Sequence, residues 1–156
     1  MNHSTNFYHS NTSIKSKLPK LIFLTAILFL GISLSYSQDN LHTIKVSVDN
    51  VLNNNGKVIF SLHQQETFMK TESLQSAEST IENNKVDVTF ENVSPGVYAI
   101  MVLHDENENY RMDFDSNGMP IESYGMSNNP MSYGPPQFSD AKFEVVNEDL
   151  EIKVRF

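Results

Sequence analysis

Short runs in which every second residue is apolar recur along this chain, and they leave little choice but a sheet protein. Ile44, Val46 and Val48 alternate with Lys45, Ser47 and Asp49, a period of two that sends one row of side chains into a core and the other into water. Val58, Phe60 and Leu62 repeat the pattern, Val86, Val88 and Phe90 repeat it again, and Phe143 with Val145 and Leu150, Ile152, Val154 and Phe156 close the chain with it. The NNNG of residues 53–56 falls between the first two runs and predicts a hairpin, with further turns at Ser94-Pro95-Gly96 and residues 147–149. Residues 64–84 hold apolar side chains too sparse for a helix face and predict a loop and a short edge strand. Six or seven strands with almost no helical periodicity predict an all-β fold, an antiparallel β-sandwich with one long ordered loop. Phe90, Tyr98, Phe143 and Val154 should lie on its inter-sheet face, with the C-terminus held in a sheet.

The run at residues 97–104 differs from the others. Tyr98, Ile100 and Val102 face one way, and Ala99, Met101 and Leu103, also apolar, face the other, so something must cover the second face. The 35 residues from His104 to Phe138 lack strand alternation but carry Met112, Phe114, Met119, Ile121, Tyr124, Met126, Met131, Tyr133 and Phe138. The expectation is that this loop folds back over the strand.

Residues 1–37 read as a secretory signal, because Lys15, Lys17 and Lys20 precede an apolar run from Leu21 to Leu34 and small residues at Ser35 and Ser37. The apolar run falls short of the roughly twenty residues that span a bilayer. Cleavage before Gln38 would leave a single domain over residues 38–156 in the periplasm, the cell envelope or the medium, with no permanent membrane anchor. The remaining chain has eight lysines and arginines against nineteen carboxylates, a formal charge of −11. Such a surface repels phosphate backbones, which excludes nucleic acid as a partner. The absence of cysteine excludes disulfides, thiol catalysis and a thiolate zinc site.

Chemistry concentrates in the long loop. Asp105, Asn107, Asn109, the backbone carbonyl of Arg111 and Asp113 present oxygens at two-residue spacing, the pattern with which a loop wraps calcium. An EF-hand is excluded, because Tyr110 stands where its glycine belongs and Ser116 where its bidentate Glu belongs. From Asp105 to Asp140 there are seven carboxylates and one arginine, so a divalent ion would relieve a local repulsion. The competing reading is that Asp and Asn act as turn formers bonded to their own backbone. Tyr110, Phe114, Tyr124 and Tyr133 could form a ligand surface for sugar or peptide, or could cover the strand before the loop. His104 beside Asp105, and the loop serines, form neither a nucleophile elbow nor an HExxH motif. His104 reads instead as a strand-end residue that orients the loop.

The segments FENVSPGVYAI, HDENENYRMDFDSNGMPIESYGMSNNP and YGPPQFSDAKF together closely resemble a bacterial family, domain of unknown function twenty-one forty-one, over roughly residues 44–156. The resemblance implies an exported prealbumin-like or Ig-like sandwich and carries no reaction with it. The family usually has glycine where this chain has Glu108 and Tyr110. The function expected from all this is that of an exported, non-enzymatic binding or interaction module, with calcium in the 105–115 loop. A glycan-binding or glycan-processing envelope protein and a purely structural accessory domain are the alternatives, with a glycan or an envelope protein as partner.

Overall fold

The computed structural model describes Met1, residues 40–131 and residues 134–156. Apart from Met1, the expected signal segment lies outside the described residues, as does Tyr133. The chain from Asp39 to Phe156 forms one compact unit. Its strands are β1 (His42–Val48), β2 (Lys57–His63), β3 (Gln75–Ser79), β4 (Val86–Val93), β5 (Gly96–Asp105), β6 (Tyr124–Met126), β7 (Phe143–Val145) and β8 (Leu150–Val154), with one helical turn, α1 (Phe138–Ala141), before β7.

The strands form two sheets, of three and five strands. In the first, β1 lies between β4 and β8. Its inward residues meet inward residues on both sides: Val46 is opposite Val88 in antiparallel β4 and Ile152 in parallel β8. In the second, the order is β3-β2-β5-β6, and β7 pairs with the start of the β5 edge that β6 occupies further along. Ser127 joins the two segments on that edge. Its N–H donates to the Ile100 carbonyl, its hydroxyl accepts the Ile100 N–H (3.0 Å), and the same hydroxyl donates to the Ala141 carbonyl. Ser127 is fully buried, so these bonds satisfy polar groups that burial would otherwise penalise.

The core lies between the sheets and takes the residues that alternation singled out. Ile44, Val46, Val48, Val58, Phe60, Leu62, Phe90, Tyr98 and Val154 are buried there, with Phe143 half-buried against them. Burying a side chain such as Phe90 contributes about 2 to 3 kcal/mol. Tyr98 keeps its hydroxyl satisfied by donating to the Ser94 carbonyl (2.9 Å).

Two expectations about pairing are corrected. The NNNG stretch does not close a hairpin, because β1 and β2 belong to different sheets. Alternation specifies which face of a strand is buried but not which strand lies beside it, and Val51, buried in the core, makes the connection a crossing between layers. The sandwich is also not wholly antiparallel, since β1 and β8 run parallel. The cover over the outer face of β5 comes only partly from the long loop. Met126 and Phe138 contribute, but they join Phe68 and Ala141 around Ala99 and Met101, while Phe114, Met119, Ile121 and Met131 are exposed.

The strand ends are closed by asparagine amides. Asn50 donates to the Phe156 carbonyl and accepts its N–H, which pins the C-terminus. Asn129 donates to the Lys153 carbonyl (2.8 Å) and accepts the Arg155 N–H (2.7 Å) along the edge of β8.

Candidate functional site

The long loop leaves β5 at Asp105, and this last strand residue organises the segment after it. Asp105 is 0% exposed, and its two carboxylate oxygens accept the N–H groups of Asn109 (3.0 Å) and Tyr110 (2.8 Å). Glu122, also buried, reaches back from the end of the loop. Its Oε1 accepts the Glu106 N–H (3.0 Å) and its Oε2 the Asp113 N–H (3.1 Å). Two buried acids thus clamp residues 106–113 through four backbone donors, the partnering that a buried carboxylate requires. Asp113 closes the ring by accepting the side-chain amides of Asn107 (2.6 Å) and Asn109 (2.8 Å) at one oxygen. The carbonyl oxygens of those amides accept the N–H groups two residues on, at Asn109 and Arg111.

Beyond the clamp the loop doubles back as a small hairpin, with Phe114 bridged to Pro120. Asp115 ties its tip, accepting the N–H groups of Met119 (2.9 Å) and Asn117 (2.8 Å). These bonds hold the Asp115 carboxyl below its ordinary pKa.

Two residues of the clamped segment, at positions where the resemblance implies glycine, keep a glycine-like backbone. Glu108 and Tyr110 have φ values of 60° and 64°, a left-handed conformation that costs about 1 to 2 kcal/mol for a residue with a Cβ. The Tyr110 ring offsets part of this by lying beneath Lys57, whose ammonium is 3.4 Å from its centroid and donates to Glu78 (2.8 Å). Burial opposes the Lys57 charge, and its bonds with Glu78 and Tyr110 outweigh that, leaving its pKa above the ordinary value. Gly56 lies against the start of the loop, with φ of 61°, where a Cβ would sit 2.0 Å from the Asp105 carbonyl oxygen.

Of the residues expected to coordinate calcium, Asp105, Asn107, Asn109 and Asp113 are brought together, but by hydrogen bonds among themselves and to the loop backbone. Arg111 places its Nε 3.7 Å from an Asp113 oxygen. Among the described residues no three His, Asp or Glu side chains converge closely enough to hold a metal ion. Of the expected ligand surface, Tyr110 and Phe114 are exposed, at 65% and 58%, as are Met119 and Ile121. Tyr124 is in β6 and lines a recess of about 420 Å³ with Gly125, Arg155 and Phe156, which Tyr110 and Phe114 do not line.

Sequence reasoning counted Glu122 only as one of the loop's acids and missed its clamping role, and it missed Lys57 and Gly56, which meet the loop from outside it. Glu122 stands between Ile121 and Ser123 with no pattern to mark it, and in the sequence Gly56 reads only as a turn former. His104 is fully buried and stacked on Phe156. Its Nε2 lies 2.8 Å from the Asn55 carbonyl, so this nitrogen donates to the β1–β2 connection, while its backbone N–H donates to the Ser123 carbonyl in the long loop (2.9 Å), so the residue bonds the loop as expected and the β1–β2 connection as well.

A family model described as an uncharacterized protein conserved in bacteria (DUF2141) matches residues 46–153. No curated protein matches the chain. Among solved structures it is similar to the pilus-presented adhesin Cpa (Spy0125), at 10% sequence identity and a TM-score of 0.27, over 77% of this chain and 27% of the adhesin.

Proposed function

The chain belongs to the bacterial family DUF2141, and on that premise we propose that it is an exported, non-enzymatic binding module whose recognition surface is the tip of the long loop. The observation that carries this reading is the pairing of exposed apolar side chains, Phe114, Met119 and Ile121, with a loop held internally by buried Asp105 and Glu122. Exposed apolar groups on a tethered loop favour binding, because a preordered surface loses little conformational freedom when a partner arrives. Export rests on the basic-then-apolar segment at residues 15–37, and the partner is then an envelope protein met outside the cytoplasm.

Calcium enters this reading as a stabiliser at Asp105, Asn107, Asn109, the Arg111 carbonyl and Asp113. It would have to displace the amide bonds on Asp113, and acidity of the loop is what favours it. Calcium at about a hundred times its dissociation constant should add roughly 2.7 kcal/mol to stability. A melting temperature that moves no further than in ionic-strength-matched salt removes the ion and leaves the binding surface.

The test of the function is site-specific photo-crosslinking in cells of the source bacterium, with the crosslinker at Met119 and a control at Thr89 on β4. The expected result is a discrete adduct from position 119 that disappears in the Phe114→Ser, Ile121→Ser double variant. Identical adducts from both positions, or none from either, would leave a purely structural accessory domain. N-terminal sequencing of material from the cell envelope should begin close to Gln38.

A further inference from the structure

We infer that a groove at the opposite end of β5 binds an acidic oligosaccharide, one whose sugars carry carboxylates. The groove has a volume of about 890 Å³ and lies between residues 64–70 and residues 135–142, with Val97 at the start of β5 between them. Its size falls within the range of small-molecule pockets, roughly 300 to 1,000 Å³.

Both walls are fixed without a ligand. On one side the Thr67 hydroxyl accepts the Gln64 N–H (3.1 Å) and donates to the Gln64 carbonyl (3.2 Å). The Phe68 N–H closes the same turn on Gln64 (3.0 Å). On the other side Pro135 and Pro136 restrict the backbone before α1. The walls meet where Phe68 and Phe138 pack edge to face, 5.8 Å apart, and His63 packs against Phe68 at 5.9 Å. A groove held in this way selects a ligand with little loss of conformational freedom.

The lining carries sugar-binding chemistry. Gln64, Gln65 and Gln137 supply amides that both donate and accept, as pairs of sugar hydroxyls require, and Val97 and Met69 offer exposed apolar surface to C–H faces. Charge decides the class of sugar. The chain from residue 38 onward has only eight cationic side chains against nineteen carboxylates, yet Lys70 and Lys142 both line this groove and only Glu66 opposes them. Lys70 donates to the Gln65 carbonyl (3.0 Å), which leaves further donors on its ammonium. Two lysines match one or two carboxylates, whereas a densely charged polyanion would be repelled by the rest of the molecule.

The test is an NMR titration of the isotope-labelled full-length chain with trigalacturonate at low ionic strength, repeated with maltotriose and with tetraglutamate. Saturable shifts should be confined to residues 64–70 and 137–142. Lys70→Gln and Lys142→Gln should each weaken binding roughly tenfold, as expected for one charge-assisted hydrogen bond. Lys70→Arg should retain most of the affinity, and Lys153→Gln, on β8, all of it. Absence of saturation, or shifts centred elsewhere, would overturn the site. Equal affinity for maltotriose would overturn the charge argument, and tighter binding of tetraglutamate would make the groove a peptide site. None of these failures touches the loop-tip reading, because Phe114 and Ile121 lie beyond the other end of β5.

Discussion

The two ends of β5, about 30 Å apart at roughly 3.3 Å per residue, are finished by opposite means. Beyond Asp105 the chain is held by polar groups: buried Asp105 and Glu122 take four backbone donors, and the apolar side chains of the tip are left in solvent. Around Val97 the arrangement is reversed, with Phe68 and Ala141 buried against Ala99 and amides and lysines at the rim. A loop can therefore be ordered by satisfying its backbone or by burying its side chains, and the first method leaves its apolar groups exposed.

The largest effect that could break this contrast is expected from Gly56→Ala. Its Cβ would meet the Asp105 carbonyl at 2.0 Å from a φ of 61°, and steric and backbone strain together should cost about 4 kcal/mol or more in denaturant unfolding. Gly118→Ala, with open space around it, should cost about 1 to 2 kcal/mol from its backbone alone. Equal losses would show that the loop yields at its base. Next, Phe68→Ala should cost about 3 to 4 kcal/mol by leaving a cavity under the groove. Asp105→Ala should cost about 3 kcal/mol by orphaning two amide donors. Hydrogen exchange separates the two: Asp105→Ala should deprotect Asn109 and Tyr110 and leave the Phe68 amide unchanged, and Phe68→Ala the reverse.

Glu108→Gly tests whether the loop stores strain, and it should stabilise the protein by about 0.5 to 1 kcal/mol, because glycine relieves a φ of 60° while adding freedom to the unfolded chain. A loss instead would mean that the Glu108 side chain makes a contact of its own. The smallest effect is with pH, and its order distinguishes the ends. Burial holds His63 below its ordinary 6.5, so its unfolded form takes a proton first. Its contribution is complete above pH 6.5 and declines as pH falls toward the folded value. Asp115 is held below the ordinary 3.8 by its bonds to Met119 and Asn117, so the loop tip keeps its contribution until pH falls through the carboxylate range. As pH falls, amide protection near Phe68, taken relative to the intrinsic exchange rate, should therefore drop at a higher pH than protection near Met119.

How much of this could be read from sequence divides along the same line. The sandwich layers were legible because alternation reports burial directly, as at Ile44, Val46 and Val48, and the short edge strand emerged at β3. Pairing was not legible: the asparagine turn after β1 crosses between sheets, and the parallel β8 depends on a register set by residues a hundred positions away. The acidic loop was marked by its Asp and Asn spacing, yet its geometry depends on Glu122 and Gly56, whose roles exist only once distant segments meet. Phe68, with Met69 its sole apolar neighbour in a polar stretch, gave no periodic signal, so the groove was not legible in the sequence.

The Asn129 side chain, laid along β8 between the Lys153 carbonyl and the Arg155 N–H, acts as a single peptide unit of a strand that is not there. An open strand edge is a template on which a second chain can add, and repeated addition leads to fibrils. An amide that occupies the pairing groups at one end of such a template shortens the ladder available to a newcomer below the length at which it would hold. The consequence concerns colloidal behaviour rather than folding: Asn129→Ala should leave a protein that folds but self-associates through β8 as its concentration rises.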